Sequence, residues 1–122
     1  MPKIVLLCGL VCLGLLTACD GTQTVSVTAE DFRFTPEHIR VAPTAALTLT
    51  VYNAGREIHE FDSPVLMYAA ALLPREKTEA FSGVQLKPGE SLKITVVPPP
   101  GTYLYICRRK GHANMTGTMV VE

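Results

Sequence analysis

Along most of the chain, apolar and polar residues alternate one by one. Val25 and Val27 are interleaved with Thr24, Ser26 and Thr28, and Leu47, Leu49 and Val51 with Thr48 and Thr50. Leu92, Ile94 and Val96 repeat the pattern against Ser91, Lys93 and Thr95. A period of two sends successive side chains to opposite faces, so these segments predict half-buried β-strands. Phe32 and Phe34 continue with the same step up to Pro36; Tyr103, Tyr105 and Cys107 share one face, and Met119-Val120-Val121 closes the chain. Asn53-Ala54-Gly55, Pro88-Gly89 and Pro98-Pro99-Pro100-Gly101 are turn signals between these runs. About seven short strands punctuated in this way predict an all-β, Greek-key β-sandwich. The pattern lapses from Val65 to about Lys77, where Met67-Tyr68-Ala69-Ala70-Ala71-Leu72-Leu73 predicts a short helical excursion around 66–73, ahead of Pro74.

Hydropathy changes character at the N-terminus. Lys3, the apolar run from Ile4 to Leu16 and the sequence Leu16-Thr17-Ala18-Cys19 read as an export signal. The run falls short of the ~20 apolar residues that a membrane-spanning helix needs. Its last four residues resemble a bacterial lipobox, in which the Cys is lipidated and the chain is cut before it; a plain secretory signal or an uncleaved anchor are the alternatives. The expected division is a lipoprotein signal peptide over 1–18, a lipid-anchored linker over 19–23 and one domain over 24–122. A lipid on Cys19 would hold that domain within ~15–20 Å of a membrane surface. This places it on the periplasmic side of a bacterial membrane, and Asp20 resembles an inner-membrane retention signal.

Composition narrows the function classes. A chain of 122 residues has room for one domain and none for a separate catalytic module. Eleven basic against eleven acidic side chains argue against a nucleic-acid binder, and 48% apolar with 18% charged residues excludes a disordered chain. Of the four cysteines, Cys8 and Cys12 leave with the signal and Cys19 takes the lipid. Cys107 is then a single thiol in an oxidising compartment, with no partner for a disulfide. Either it is buried and inert, or something occupies it.

The stretch from Cys107 to Met115 favours occupation. A thiol, the imidazole of His112 and a thioether fall just after a strand, across a loop containing Gly111. Such a loop folds these groups toward one point, and Cys, His and Met together suit soft and borderline metals, copper above all. A further ligand must come from His38 or His59. His59 lies in a strand-like segment with Phe61 on the same inward face, whereas His38 follows the polar turn Thr35-Pro36-Glu37, so His59 is the better candidate. Met67 and Met119 read as core residues, and Tyr103 and Tyr105 as packing groups beside Cys107.

These residues resemble the small type 1 (blue) copper proteins of the cupredoxin family, the group of plastocyanin, azurin and amicyanin. The similarity runs through Asp31-Phe32-Arg33-Phe34-Thr35-Pro36, Asn53-Ala54-Gly55, His59-Glu60-Phe61, Pro88-Gly89-Glu90, Pro100-Gly101-Thr102-Tyr103, Cys107, His112, Met115 and Gly117. The resemblance implies a cupredoxin-like sandwich holding one copper ion. His59, Cys107 and His112 match the equatorial ligands and Met115 the weak axial one. It also implies an electron carrier and not an enzyme, with electrons passing through the edge of His112, the more exposed imidazole. The chain would act as a monomer toward a cytochrome or a membrane oxidoreductase or oxidase. The alternative is a copper-binding protein that handles or delivers the ion, though four methionines make a methionine-rich mode of handling poorly supported. A dinuclear copper module is rejected because it needs two cysteines, and a metal-free sandwich is the bland reading. Two features depart from the better-known members. Two residues separate His112 from Met115, as in amicyanin but not in plastocyanin or azurin, and Glu60 stands where Asn is common. Arg108-Arg109-Lys110 lies within the ligand loop; such a run is usually just a solvated loop, but here its charges would raise the potential and steer an acidic partner face.

Overall fold

Nine β-strands and one helical turn carry the alternation into three dimensions in a computed structural model that describes residues 22–43, 45–69 and 83–122. The strands are β1 (Gln23–Glu30), β2 (Arg33–Thr35), β3 (His38–Val41), β4 (Leu47–Asn53), β5 (His59–Phe61), β6 (Val84–Leu86), β7 (Ser91–Val96), β8 (Gly101–Ile106) and β9 (Thr116–Val121). One sheet has the order β2-β1-β4-β7, the second β3-β9-β8, and β5 pairs with β6. Strands β1 and β4 run parallel, as do β3 and β9; the other pairings are antiparallel. Neighbours in a sheet that are distant in sequence are what a Greek-key sandwich requires.

Register follows the hydrophobic pattern. Leu47, Leu49 and Val51 of β4 point inward and are fully buried, aligned with Val96, Ile94 and Leu92 of β7. Burying each such side chain favours the fold by ~1.5–3 kcal/mol, and a one-residue slip would turn all of them to solvent. From the second sheet, Tyr105, Met119 and Val121 join the same core, with Phe34 and Phe61 between the layers. Phe34 meets Tyr105 edge-on at 5.4 Å, and Phe61 stacks on Tyr105 at 5.6 Å. Tyr105 sits over Gly117, where a Cβ would overlap its ring.

Three expectations change. Phe32 is exposed; it occupies the turn between β1 and β2, with a left-handed backbone (φ 75°) that breaks the strand before Phe34. The helical excursion is represented among the described residues by a 3₁₀ turn, Pro64–Tyr68, whose N-cap Ser63 accepts from Val65 N–H; residues 70–73 lie outside the described residues. Met67 is 55% exposed on that turn and not in the core, because Val65 and Leu66 take the buried positions. The expected signal peptide (1–18) and most of the linker, including Cys19, also lie outside the described residues.

Candidate metal centre

Three elements deliver the donors predicted from sequence. His59 opens β5, Cys107 follows the last residue of β8, and His112 and Met115 lie on the loop leading to β9. Reciprocal backbone bonds between Asp62 and Ile106, 2.9 Å each way, bind the β5 segment to β8. The loop closes through three backbone bonds, each donated by an N–H. His112 bonds Arg109 O at 3.0 Å, Met115 bonds His112 O at 3.3 Å, and Cys107 bonds Met115 O at 3.0 Å. Gly111, at φ 89°, provides a left-handed turn that a residue with a Cβ takes only at a cost.

The resulting cluster is tight. One donor atom each of His59, Cys107 and His112 lie within 4.8 Å of one another, and all three residues are buried. His59 Nδ1 is 3.2 Å from His112 Nδ1, which is 3.4 Å from Cys107 Sγ. Met115 is also buried, and its backbone places it beside Cys107. His38 is exposed on β3 and outside the cluster. A surface groove of about 330 Å³, lined by Met67, Leu104, Arg108 and neighbours, contains none of the three donor residues.

Each imidazole is held from behind by a carboxylate. His59 Nε2 donates to Asp31 Oδ1 at 2.9 Å and His112 Nε2 to Glu57 Oε2 at 2.8 Å. An ionised carboxylate only accepts, so when both rings are neutral, as metal ligation requires, each proton sits on Nε2 and Nδ1 carries a bare lone pair. Two lone pairs then face each other across 3.2 Å with no proton to share. With His59 1% and His112 4% exposed, water is largely excluded from meeting that demand. A cation among the donors satisfies it. Two neutral imidazoles and a sulfur suit copper, and a carboxylate behind a ligating His is the usual outer partner of a metal site. Fold and donor set are thus compatible with one copper ion.

Neighbouring groups fix this arrangement. Asp31 also accepts from the backbone N–H of Arg56 (3.0 Å) and of Glu57 (3.3 Å). The His59 hydrogen bond first, and then these amides, hold its carboxyl below the ordinary value of 3.8. Buried Asn53 anchors the same loop: its Nδ2 donates to Glu57 O and Leu86 O, both at 2.8 Å, and its Oδ1 accepts from Gly55 N–H at 2.8 Å. Gly55 must lack a side chain, since a Cβ there would lie 2.8 Å from His59 Nε2 and would run into Asp31. The backbone N–H of Glu60 points to Cys107 Sγ at 3.3 Å. Hydrogen bonding to the sulfur therefore comes from the main chain and does not depend on the Glu60 side chain. That side chain is buried with Oε1 unpartnered among the described residues, and burial, then the Asp62 charge, push its carboxyl up.

As expected, His112 is the more exposed imidazole, at 4% against 1% for His59. Phe32 packs edge-on over it at 5.3 Å and is itself 53% exposed, while Glu57 occupies its Nε2. In the Arg108-Arg109-Lys110 run, Arg108 is ion-paired with Asp62. Asp31 and Phe32 enter the sequence reading within the segment that resembles the family, with no role at the centre, and Glu57 has none there either. Each reaches its histidine across 28, 80 or 55 positions of sequence respectively, as the numbering shows. The only hint was the turn Asn53-Ala54-Gly55 shortly before Glu57 and His59.

Comparison with known proteins bears on the whole chain. The family profile described as "Cupredoxin-like domain" matches residues 3–121. No curated protein sequence matches significantly. Among solved structures, a dithionite-reduced auracyanin from the photosynthetic bacterium Roseiflexus castenholzii superposes with a TM-score of 0.63 at 24% identity, covering 84% of this chain and 99% of its own. Auracyanin B gives 0.60 at 27% identity, over 82% of this chain and 88% of its own. Auracyanin A, described as a "blue" copper protein from the green thermophilic bacterium Chloroflexus aurantiacus, gives 0.60 at 22% identity, over 84% of this chain and 100% of its own.

Proposed function

The chain belongs to the cupredoxin-like domain family, and on that footing we propose that it carries electrons at a mononuclear type 1 copper site. His59, Cys107 and His112 would hold the ion, with Met115 as a further, weaker donor. The carrying observation is the pair of bare Nδ1 atoms 3.2 Å apart, with Cys107 Sγ 3.4 Å from one of them. Copper bound there would supply a one-electron Cu(I)/Cu(II) couple.

The residues of the chain keep that exchange cheap. Asp31 and Glu57 fix the rings, β5 and β8 fix His59 and Cys107, and the loop bonds fix His112 and Met115. Donors held this firmly keep one arrangement in both oxidation states, so little reorganisation accompanies electron transfer. Burial of all three donors supports a carrier rather than an enzyme, since a substrate finds no open face on them. Partner contact falls on the surface over His112, where Phe32 and Glu57 are exposed. The N-terminal sequence ending in Cys19 supports export and a lipid anchor on the periplasmic side, where a cytochrome or a membrane oxidoreductase would be the redox partner.

Redox cycling in the presence of a Cu(I) chelator tests the reading. The loaded protein should bleach with dithionite and recover its colour with ferricyanide over repeated cycles, keeping its metal. Loss of the ion to the chelator within those cycles would identify a copper-delivery protein instead.

A further inference from the structure

The two carboxylates behind the imidazoles differ in what else they do. Asp31 accepts from two backbone amides besides His59, so it ties loop to loop. Glu57 has no such second duty: among the described residues its carboxylate bonds only His112 Nε2, at 2.8 Å, and its side chain is 54% exposed. It reaches inward from solvent to a residue that is 4% exposed. A flexible, hydrated side chain gives up entropy and solvation to hold that position, and the ordering has a chemical consequence.

Resting on the copper-carrier reading above, we propose that Glu57 is the positioning residue for His112 and lowers the reduction potential of the site. Its carboxylate keeps the proton on Nε2, aims the Nδ1 lone pair at the cluster and makes the imidazole a stronger donor. A doubly charged ion gains more from that donor, and from the nearby negative charge, than a singly charged one. Cu(II) is thereby favoured over Cu(I). The effect opposes the loop cations Arg109 and Lys110, while Arg108 is already paired with Asp62.

The test uses the full chain purified in detergent and loaded with copper, comparing wild type, Glu57→Gln, Glu57→Asp and a distant charge control, Glu122→Gln. Glu122 follows the far end of β9, whose Thr116 end adjoins the ligand loop, a separation of ~20 Å along the strand. Midpoint potential and pulsed EPR of the two remote imidazole nitrogens are the readouts. Glu57→Gln should keep the visible band and lose about tenfold in Cu(II) affinity relative to Cu(I), which is about 59 mV upward at one electron. One remote-nitrogen signal should change and the other stay. Glu57→Asp, a methylene too short, should alter the same nitrogen with a smaller rise in potential, and Glu122→Gln should alter neither. A wild-type protein lacking the thiolate band would sink the copper-carrier reading itself. A normal band with unchanged potential in Glu57→Gln would overturn the Glu57 assignment alone. So would a shifted potential with both nitrogens unaltered, because charge at a distance would then be the whole effect.

Discussion

His59 and His112 make the same pair of contacts, Nδ1 toward the centre and Nε2 to a carboxylate, yet the fold secures them differently. His59 sits on a strand, and its carboxylate partner is locked by the amides of Arg56 and Glu57. His112 sits on a loop, its partner Glu57 is half in solvent, and an exposed Phe32 lies over its ring. Strand register and two backbone amides hold one half of the site in place. The other half depends on side chains that a docking protein can touch. Rigidity and access are thus divided between the two histidines, a division that suits the proposed carrier role.

Substitutions that break this division should scale with how much of it they remove. The largest effect belongs to Cys107→Ser, which takes away the sulfur that both halves share. Visible absorption should then show no thiolate-to-copper band, while circular dichroism keeps the β signature, since a serine fits the same buried position. Next comes the locked half. Asp31→Ala frees His59 Nε2 and strands two loop amides, so competition titration should show Cu(II) affinity down by about 10–100-fold, with a lowered apo-protein Tm. Gly55→Ala attacks the same contact sterically and should cost ~1–3 kcal/mol in denaturant unfolding.

Behind Cys107 the core offers a pH test of the same rigid frame. The Tyr105 hydroxyl donates to Pro36 O at 2.6 Å, and burial pushes the phenol from 10.0 up to about 12. The folded state therefore favours the protonated phenol; its contribution is complete below pH 10 and is lost as pH rises from 10 to 12. Unfolding free energy should fall by on the order of 2 kcal/mol over that range. Tyr105→Phe should flatten the fall, at a cost of ~1 kcal/mol near neutrality for the missing hydrogen bond.

The smallest effect on the metal is expected at Glu60. Because its main-chain N–H, not its side chain, reaches Cys107 Sγ, Glu60→Gln should leave the visible band in place. Its carboxyl is raised above 4.5 by burial, so the native side chain favours the fold below that value and opposes it as pH rises. The Gln variant should accordingly melt higher at neutral pH and lose that advantage in acid. A displaced band would mean that the side chain tunes the sulfur after all.

The frame was readable because burial imposes a period on it. The alternation at 24–28, 47–51 and 91–96 corresponds to β1, β4 and β7, and Tyr103-Tyr105-Cys107 to the inward face at the end of β8. The donors were readable because soft ligands at loop spacing after a strand are uncommon for any other purpose, and His59, Cys107 and His112 do converge. What escaped was non-local or conformational. Phe32 keeps the strand period but sits in a left-handed turn, so its ring covers His112 instead of filling the core. Met67 looked like core because Ala and Leu follow it, whereas the short 3₁₀ turn buries Val65 and Leu66 and turns Met67 outward. Asp31 and Glu57 carry no local mark, since a carboxylate behind a histidine is defined only once two distant loops meet. The pairing of Arg108 with Asp62 was hidden for the same reason, since the two lie 46 positions apart.

Titration of the chain from Asp20 onward with Cu(II), followed by visible absorption and EPR, decides whether the three donors hold copper. Saturation is expected at one equivalent, with an intense thiolate-to-copper band and a type 1 EPR signal, both absent from Cys107→Ser. Copper binding without that band, or a band that survives the serine substitution, would contradict a site built on His59, Cys107 and His112.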